Sequence, residues 1–439
     1  MSWENKVRLL TAAAEVEEIV GRPAPVIMLK QLDALDDGCR IILGRSPIAA
    51  FGYRDADGAG RTTFVGGAPG FTRVHSATRL SFSGPGSAKG PASLFYLLPG
   101  VGEVLRVNGS AATGSGGRVT FTVGEAYVHC AQAVLRSRLW KPSSPGAAPS
   151  PSAAPSPSAA PSPSAAPSPS AAPSLGAAPS PAAPPSPGAP LGSGAPLGSG
   201  APQGSGAPLG SGAPLGSVVG VGGDGPLDRP EVAEFMAAAP FLALSSWDSS
   251  GGSDTSPRGD RQAVARILDG HTLVIPDRRG NKRADTLHNL LTDDRLALAA
   301  LVPGRSAVLH LRGRGAITDD PALLATMALR GQPPHLALVI EVERAELVTN
   351  SAVADSRMWS TDTHVESGSM PDLMALAAKH LAANSGPSAV ALKALGSIPG
   401  VDRLLRLVMN RAYRSGLRKE GYEPDTAPPN RAARPGRRA

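Results

Sequence analysis

Four cations fall within six residues: Arg278, Arg279, Lys282 and Arg283. Gly280 and Asn281 lie between them and allow a tight turn. Two or three cations with amide or hydroxyl donors are what a phosphate monoester requires. Leu287, Leu290 and Leu291 follow a polar run, which predicts a short helix over Lys282–Leu291. The N-terminus of such a helix favours an anion. From charge alone, a solvated basic turn is the competing reading. Other chemistry is thinner. His129 and Cys130 are adjacent, but two neighbouring ligands without others do not make a metal site, and packing is the simpler account. Cys39 and Cys130 are the only cysteines, which excludes a disulfide scaffold or a thiolate-rich zinc cage. Cys39 reads as core. No Ser–His–Asp arrangement and no carboxylate pair presents itself, so hydrolysis is unsupported and no catalytic residue is assigned.

The elements that would position these residues are short. Ile48–Tyr53 and Phe241–Ser246 are largely apolar runs ending in Asp/Gly turns, as a strand entering a hairpin does. Thr272–Ile275, Leu296–Val302, Ala307–Arg312 and Leu336–Val342 predict further strands, and Pro321–Leu329 a second small helix. Many short strands with two small helices imply a mainly β (α+β) protein built on a closed or split β-barrel, not a parallel α/β sheet.

The strands occur twice. Ser46–Gly60 matches Ala239–Gly252, Leu97–Ala112 matches Leu301–Ala316, and Ala126–Trp140 matches Ala345–Trp359, in the same order. Three ordered blocks in 439 residues indicate a tandem duplication. Between the copies, from Pro142 to Gly223, no residue is charged and 21 of the 44 prolines are found. Hexamers of PSPSAA and APLGSG type fill this stretch, too poor in apolar area to offset ordering entropy. It reads as a disordered Pro/Ala/Ser/Gly tether. The expected domains are a degenerate barrel over 1–142, the linker over 143–223, a second barrel over 224–360, and a helical extension with a basic disordered tail over 361–439.

Net charge is +7, and residues 401–439 carry ten Lys/Arg against four Asp/Glu. The pI of about 9.7 thus describes a tail, read as a solvated end without a nucleic-acid motif. Helices are predicted at Pro371–Ala383, Ala389–Leu395 and Val401–Leu417, the last packing on the barrels, with disorder past Gly421. No apolar run reaches the ~18 residues of a membrane span. Glu15, Glu17 and Glu18 interrupt the first apolar run, so no signal peptide and a cytoplasmic location are expected.

The second copy resembles the pyridoxamine 5′-phosphate oxidase-like, FMN-binding split-barrel family. The resemblance is carried by SPRGD (Ser256–Asp260), LVIPDRRGNKRADTLHNLL (Leu273–Leu291) and LALAALVPG (Leu296–Gly304), and in the first copy by VHCAQAVLRSRLW (Val128–Trp140) with the leader helix before Pro47. It implies two paired barrels with FMN in the cleft between them. Carried over to this chain, the cofactor contacts are Arg258, Pro276, Asp277, Arg278, Asn281, Lys282, Arg283, Thr286 and Asn289 from the second copy, and Arg136, Arg138 and Trp140 from the first.

The copies have decayed differently. Pro47 to Pro99 spans 52 residues and Pro240 to Pro303 spans 63. The first copy has Ser83–Ser93 where the second has RGNKRADTLHNLL, and Val65–Phe71 where the second has SPRGD. The second copy has Val348, Thr349 and Asp355 where the first has His129, Cys130 and Arg136. Complementary losses imply a pseudo-dimer within one chain, with one complete FMN site and one empty cleft; further homo-oligomerisation stays open. The expected activity is a flavin-dependent oxidoreductase acting on a small molecule, with no nucleic-acid or membrane partner. The alternatives are a non-catalytic flavin or haem binder and a deazaflavin-dependent reductase.

Overall fold

The computed structural model describes residues 7–23, 31–141, 223–261, 263–365, 376 and 401–422. The linker, the expected helices at Pro371–Ala383 (Leu376 apart) and Ala389–Leu395, and the tail beyond Tyr422 lie outside the described residues.

In chain order the first part runs β1 (Leu9–Leu10), α1 (Ala13–Val20), α2 (Asp37–Arg45), β2 (Ile48–Arg54), β3 (Gly60–Gly66), β4 (Arg73–Ser76), β5 (Arg79–Ser83), β6 (Lys89–Leu97), β7 (Val104–Thr113), β8 (Arg118–His129) and α3 (Gln132–Ser137). The second runs α4 (Pro230–Ala238), β9 (Phe241–Trp247), β10 (Ser253–Gly259), β11 (Arg266–Ile267), β12 (Thr272–Asp277), α5 (Asp285–Leu290), β13 (Arg295–Leu301), β14 (Ala307–Thr318), α6 (Pro321–Ala325), β15 (Leu336–Thr349), α7 (Ser351–Asp355) and α8 (Val401–Lys419). The predicted strands are all present. The helix predicted over Lys282–Leu291 begins only at Asp285, because Lys282 and Ala284 both adopt left-handed backbone.

The two antiparallel sheets have one topology. The first is ordered β3-β2-β6-β7-β8-β5-β4 and the second β10-β9-β13-β14-β15-β12-β11, the same path strand for strand. Register agrees too: Gly52 faces Ser93 as Ser245 faces Ala297. Even a bulge recurs, between Asn108 and Gly109 and between Arg312 and Gly313. A Cβ at Gly109 would lie 2.0 Å from the Thr122 carbonyl oxygen, and one at Gly313 1.9 Å from that of Glu341. Each copy therefore needs glycine there. The chain carries two split barrels that repeat one design.

The register also corrects the alignment of the copies. From Pro47 the match runs without a gap to the end of β5, so the counterpart of SPRGD is Thr63–Gly67, not Val65–Phe71. Five residues, 84–88, join β5 to β6, where seventeen, 278–294, join β12 to β13.

Strands β2 and β9 are buried on both faces, which is why they read as unbroken apolar runs. Ala49 and Phe51 face the core of their own barrel. Ile48 and Ala50 face a third cluster shared with Phe241 and Ala243 of the other copy. That cluster takes the same positions from both copies, among them Leu97 and Leu301, Val104 and Val308, Val134 and Val353. Trp140 lies 6.2 Å from its own counterpart Trp359. Thr62 donates to the Ala297 carbonyl, and its counterpart Thr255 donates to that of Ser93, at 2.9 and 3.5 Å. Equivalent residues in reciprocal contact define a pseudo-twofold axis, so the barrels form an intrachain pseudo-dimer.

The ends of the chain cross over. β1 pairs with β14, and Leu10 and Val16 join the core of the second barrel. Val365 and Leu376 pack on the core of the first barrel. A boundary at 142 therefore assigns the N-terminal arm to a barrel on which it does not pack. No helix among the described residues is long and apolar enough to cross a membrane.

Candidate functional site between the two copies

One cleft opens between the barrels. The first copy lines it with Arg106 from β7, His129 and Cys130 at the end of β8, and Gln132, Ala133 and Arg136 from α3. The second lines it from β10, from the end of β12 and the turn after it, and from the start of α5. The close approach of the copies depends on Gly259, where a Cβ would lie 2.1 Å from the Ala133 carbonyl oxygen.

Of the residues expected at a cofactor, Arg258, Pro276, Asp277, Arg278, Asn281, Lys282, Thr286 and Arg136 line this cleft. Arg283 stands just behind it, its Nε donating to Asp285 at 2.8 Å. Asn289, Arg138 and Trp140 do not line it. Asn289 donates to Ser246 at 3.0 Å within the barrel. Trp140 donates to the Val101 carbonyl at 2.6 Å and meets the Trp359 ring at a 45° tilt, at the interface between the copies.

The cleft is densely charged and nearly balanced. Arg106, Arg136, Arg258, Arg278 and Lys282 meet Asp254, Asp260, Asp277 and Asp285 on its walls. Arg258 pairs with Asp277, which also meets His335 at 3.1 Å. Burial would raise the Asp277 carboxyl, but Arg258 and His335 outweigh it and hold it down to about 2. Arg278 reaches Asp260 at 3.1 Å and the Met327 carbonyl at 3.0 Å. Arg283 lies 4.5 Å over the Tyr127 ring, with Arg106 at 5.2 Å to the same ring. Two of the four cations in the basic run, Arg278 and Arg283, are thus paired with the chain's own carboxylates, and the first turn of α5 carries Asp285 where an external anion was expected. Lys282 lines the cleft without an ion pair among the described residues. His129 is half-buried and held well below the ordinary imidazole range, first by desolvation and then by Arg106, so it is neutral at pH 7.

Several buried N–H groups here have no hydrogen-bond acceptor: Nε of Arg106, Nε of Arg258 and Nη1 of Arg283. Buried donors of this kind are costly unless a ligand satisfies them. Together with Lys282 they fit an anionic group, while Val20, Pro257, Val264 and Leu287 offer apolar wall to a ring system. Among the described residues no group of His, Cys, Asp and Glu is arranged to hold a metal ion.

Arg106, Asp254, Tyr127, Glu125, His335, Glu420 and Tyr422 were not singled out from sequence. Arg106 stands in the LRVNG block already used to align the copies, where its counterpart is His310. That one-sided difference is the signal that could have found it.

Residues 229–349 match the family described as pyridoxamine 5′-phosphate oxidase. That match lies within the second barrel, and the first barrel repeats the second's topology. Solved structures to which the chain is similar include HupZ of Group A Streptococcus, 17% identical, covering 27% of this chain and 94% of that one at a TM-score of 0.23. A putative pyridoxamine 5′-phosphate oxidase of Lactobacillus delbrueckii is 16% identical, covering 24% and 83% at 0.20. The heme storage protein HutZ of Vibrio cholerae is 14% identical, covering 28% and 94% at 0.22. No curated protein matches the chain in sequence.

Proposed function

We propose that the chain is an FMN-dependent oxidoreductase of the pyridoxamine phosphate oxidase-like type, with one cofactor site per chain in the cleft between its barrels. The observation that carries this reading is the set of unsatisfied buried donors beside Lys282, drawn from both copies. Lys282 and Arg258, which line the cleft, would hold the phosphate, with Arg283 standing behind them. Thr286 and Ser256, hydrogen-bonded to each other at 2.9 Å, would orient the rest of the anchor. When bound, the flavin supplies hydride transfer, and the protein sets its position and shields it from water. The neutral His129 offers no acidic proton, in keeping with a site where the cofactor carries the chemistry. The substrate is a small molecule, and the location is cytoplasmic. A haem binder or a deazaflavin-dependent reductase would use the same cleft.

Titration with FMN and riboflavin tests the reading. Lys282→Ala removes one charge-assisted bond to phosphate, worth about 1.5–3 kcal/mol, so FMN should weaken by roughly one to two decades while riboflavin is unchanged. Equal loss for both ligands, or no binding of either, refutes the assignment.

A further inference from the structure

The C-terminal end of α8 closes one end of the cleft with residues the flavin reading does not use. Arg136 is 6% exposed and lines the cleft. Its Nε and Nη2 donate to the two Glu420 carboxylate oxygens, both at 2.8 Å. Gln132 Oε1 accepts from the same Nη2 at 3.4 Å. Two residues on, the Tyr422 hydroxyl donates to Asp260 at 2.7 Å. The Tyr422 ring lies about 6 Å from the guanidinium carbons of Arg136, Arg261 and Arg278. Arg136, Asp260 and Arg278 are all cleft residues, so this segment is seated on the site itself.

A fork-to-fork Arg–carboxylate pair is the geometry with which proteins bind carboxylate or phosphate ligands. Here the carboxylate comes from the chain. It is poorly paid for its burial: desolvation pushes the Glu420 carboxyl up, against the pull of Arg136 and Arg278. Its backbone anchor is local, while its side chains are buried. Past Lys419 the backbone bonds among the described residues run from Glu420 N–H to the Gly416 and Leu417 carbonyls, from Gly421 N–H to Arg418 and from Tyr422 N–H to Leu417, all to carbonyls of α8. On α8 itself Leu407 and Val408 are exposed.

We infer that Arg136, with Gln132 and Arg278 beside it, is the oxyanion subsite of the substrate pocket, and that Glu420 occupies it until an anionic substrate displaces it. The substrate class is a small molecule bearing a carboxylate or phosphate. This rests on the flavin reading only for the identity of the neighbouring cofactor. The latch predicts that a substrate anion and the Glu420–Tyr422 turn exclude one another at Arg136.

Hydrogen exchange at the Glu420–Tyr422 amides of the full chain, loaded with FMN so that the phosphate cradle is filled, tests this. Inorganic phosphate and succinate at about 10 mM serve as probes. One of them should speed exchange there by about tenfold, and which one acts separates a phosphate from a carboxylate subsite. Glu420→Gln should speed exchange to a similar degree without any probe. Arg136→Met should exchange fast from the outset and ignore both probes, while the β14 and β15 amides keep wild-type protection and report that the barrel is folded. If Glu420→Gln leaves exchange unchanged, or neither probe affects the wild type, the contact is passive packing and the inference fails. If FMN does not load, the flavin reading fails, and the same measurement on flavin-free Lys282→Ala protein still decides the latch.

Discussion

The pseudo-twofold axis relates two sets of positions with equal backbone and unequal side chains, one of which lines the cleft. On one side stand Arg106, Asp254, Arg258, Asp277 and Arg136; the positions they map to on the other are His310, Arg61, Val65, Gly84 and Asp355. Arg61 is spent on Asp55 at 2.8 Å, and His310 on the Thr62 carbonyl at 2.8 Å. Burial lowers the His310 imidazole, so it carries no charge at pH 7. The turn that bears Lys282 has shrunk to five residues. Yet the interface core keeps matched positions from both copies. A symmetric dimer must keep both sites or neither, because each substitution appears twice. A tandem chain is free of that constraint: the apolar frame is retained because both sides need it, and the charged groups survive only where one cleft uses them.

The stoichiometry of FMN breaks or sustains this comparison most sharply. Reconstituted protein should bind one FMN per chain, read from flavin absorbance against protein concentration. Two per chain would require a second FMN at the matching positions, where Arg61 is already paired with Asp55.

Next comes the cost of removing matched residues. Arg106 is buried between Asp254 and Asp285, so Arg106→Met leaves the Asp254 carboxylate buried and unpaired. A loss of about 3–5 kcal/mol is expected in urea unfolding. At the matching position His310→Leu removes one neutral hydrogen bond and should cost about 1 kcal/mol. Equal costs would mean the two sets of positions are not specialised.

The smallest effect is a pH dependence at one position, Asp277, whose counterpart is Gly84. The Asp277 carboxyl is depressed from its ordinary 3.8 to about 2. A depressed folded value means its stabilisation is complete above 3.8 and is lost as pH falls through about 2. About 2 kcal/mol should disappear over that window, seen as a falling urea midpoint between about pH 5 and pH 2. Asp277→Asn should flatten that part of the profile, whereas Gly84 leaves the first copy with nothing to titrate there.

Much of this organisation was legible in the chain. The duplicated proline-anchored blocks announced two copies, and the length differences located the lost turn. Arg258, Arg278 and Lys282, singled out from the chain, line one cleft together. What misled was reading charge without partners. Arg278 and Arg283 looked like free phosphate ligands, but Asp260, Asp285 and Glu125, distant in sequence, neutralise them. Trp140 and Arg138 rode along with the RSRLW block, although alternate residues of that turn point to different environments and only Arg136 lines the cleft.

Local pattern determined the strands, the bulge glycines and the apolar interface, because those depend on side-chain period and on steric limits set within a few residues. It determined as well that the two copies had diverged. Only the tertiary structure decided which charges compensate one another, that the N-terminal arm crosses to the second barrel, and that Glu420 and Tyr422 return from the far end of the chain to the cleft. Coulombic pairing acts through space and carries no periodic mark along the chain, so a residue 284 positions from Arg136 could become its partner without any local sign.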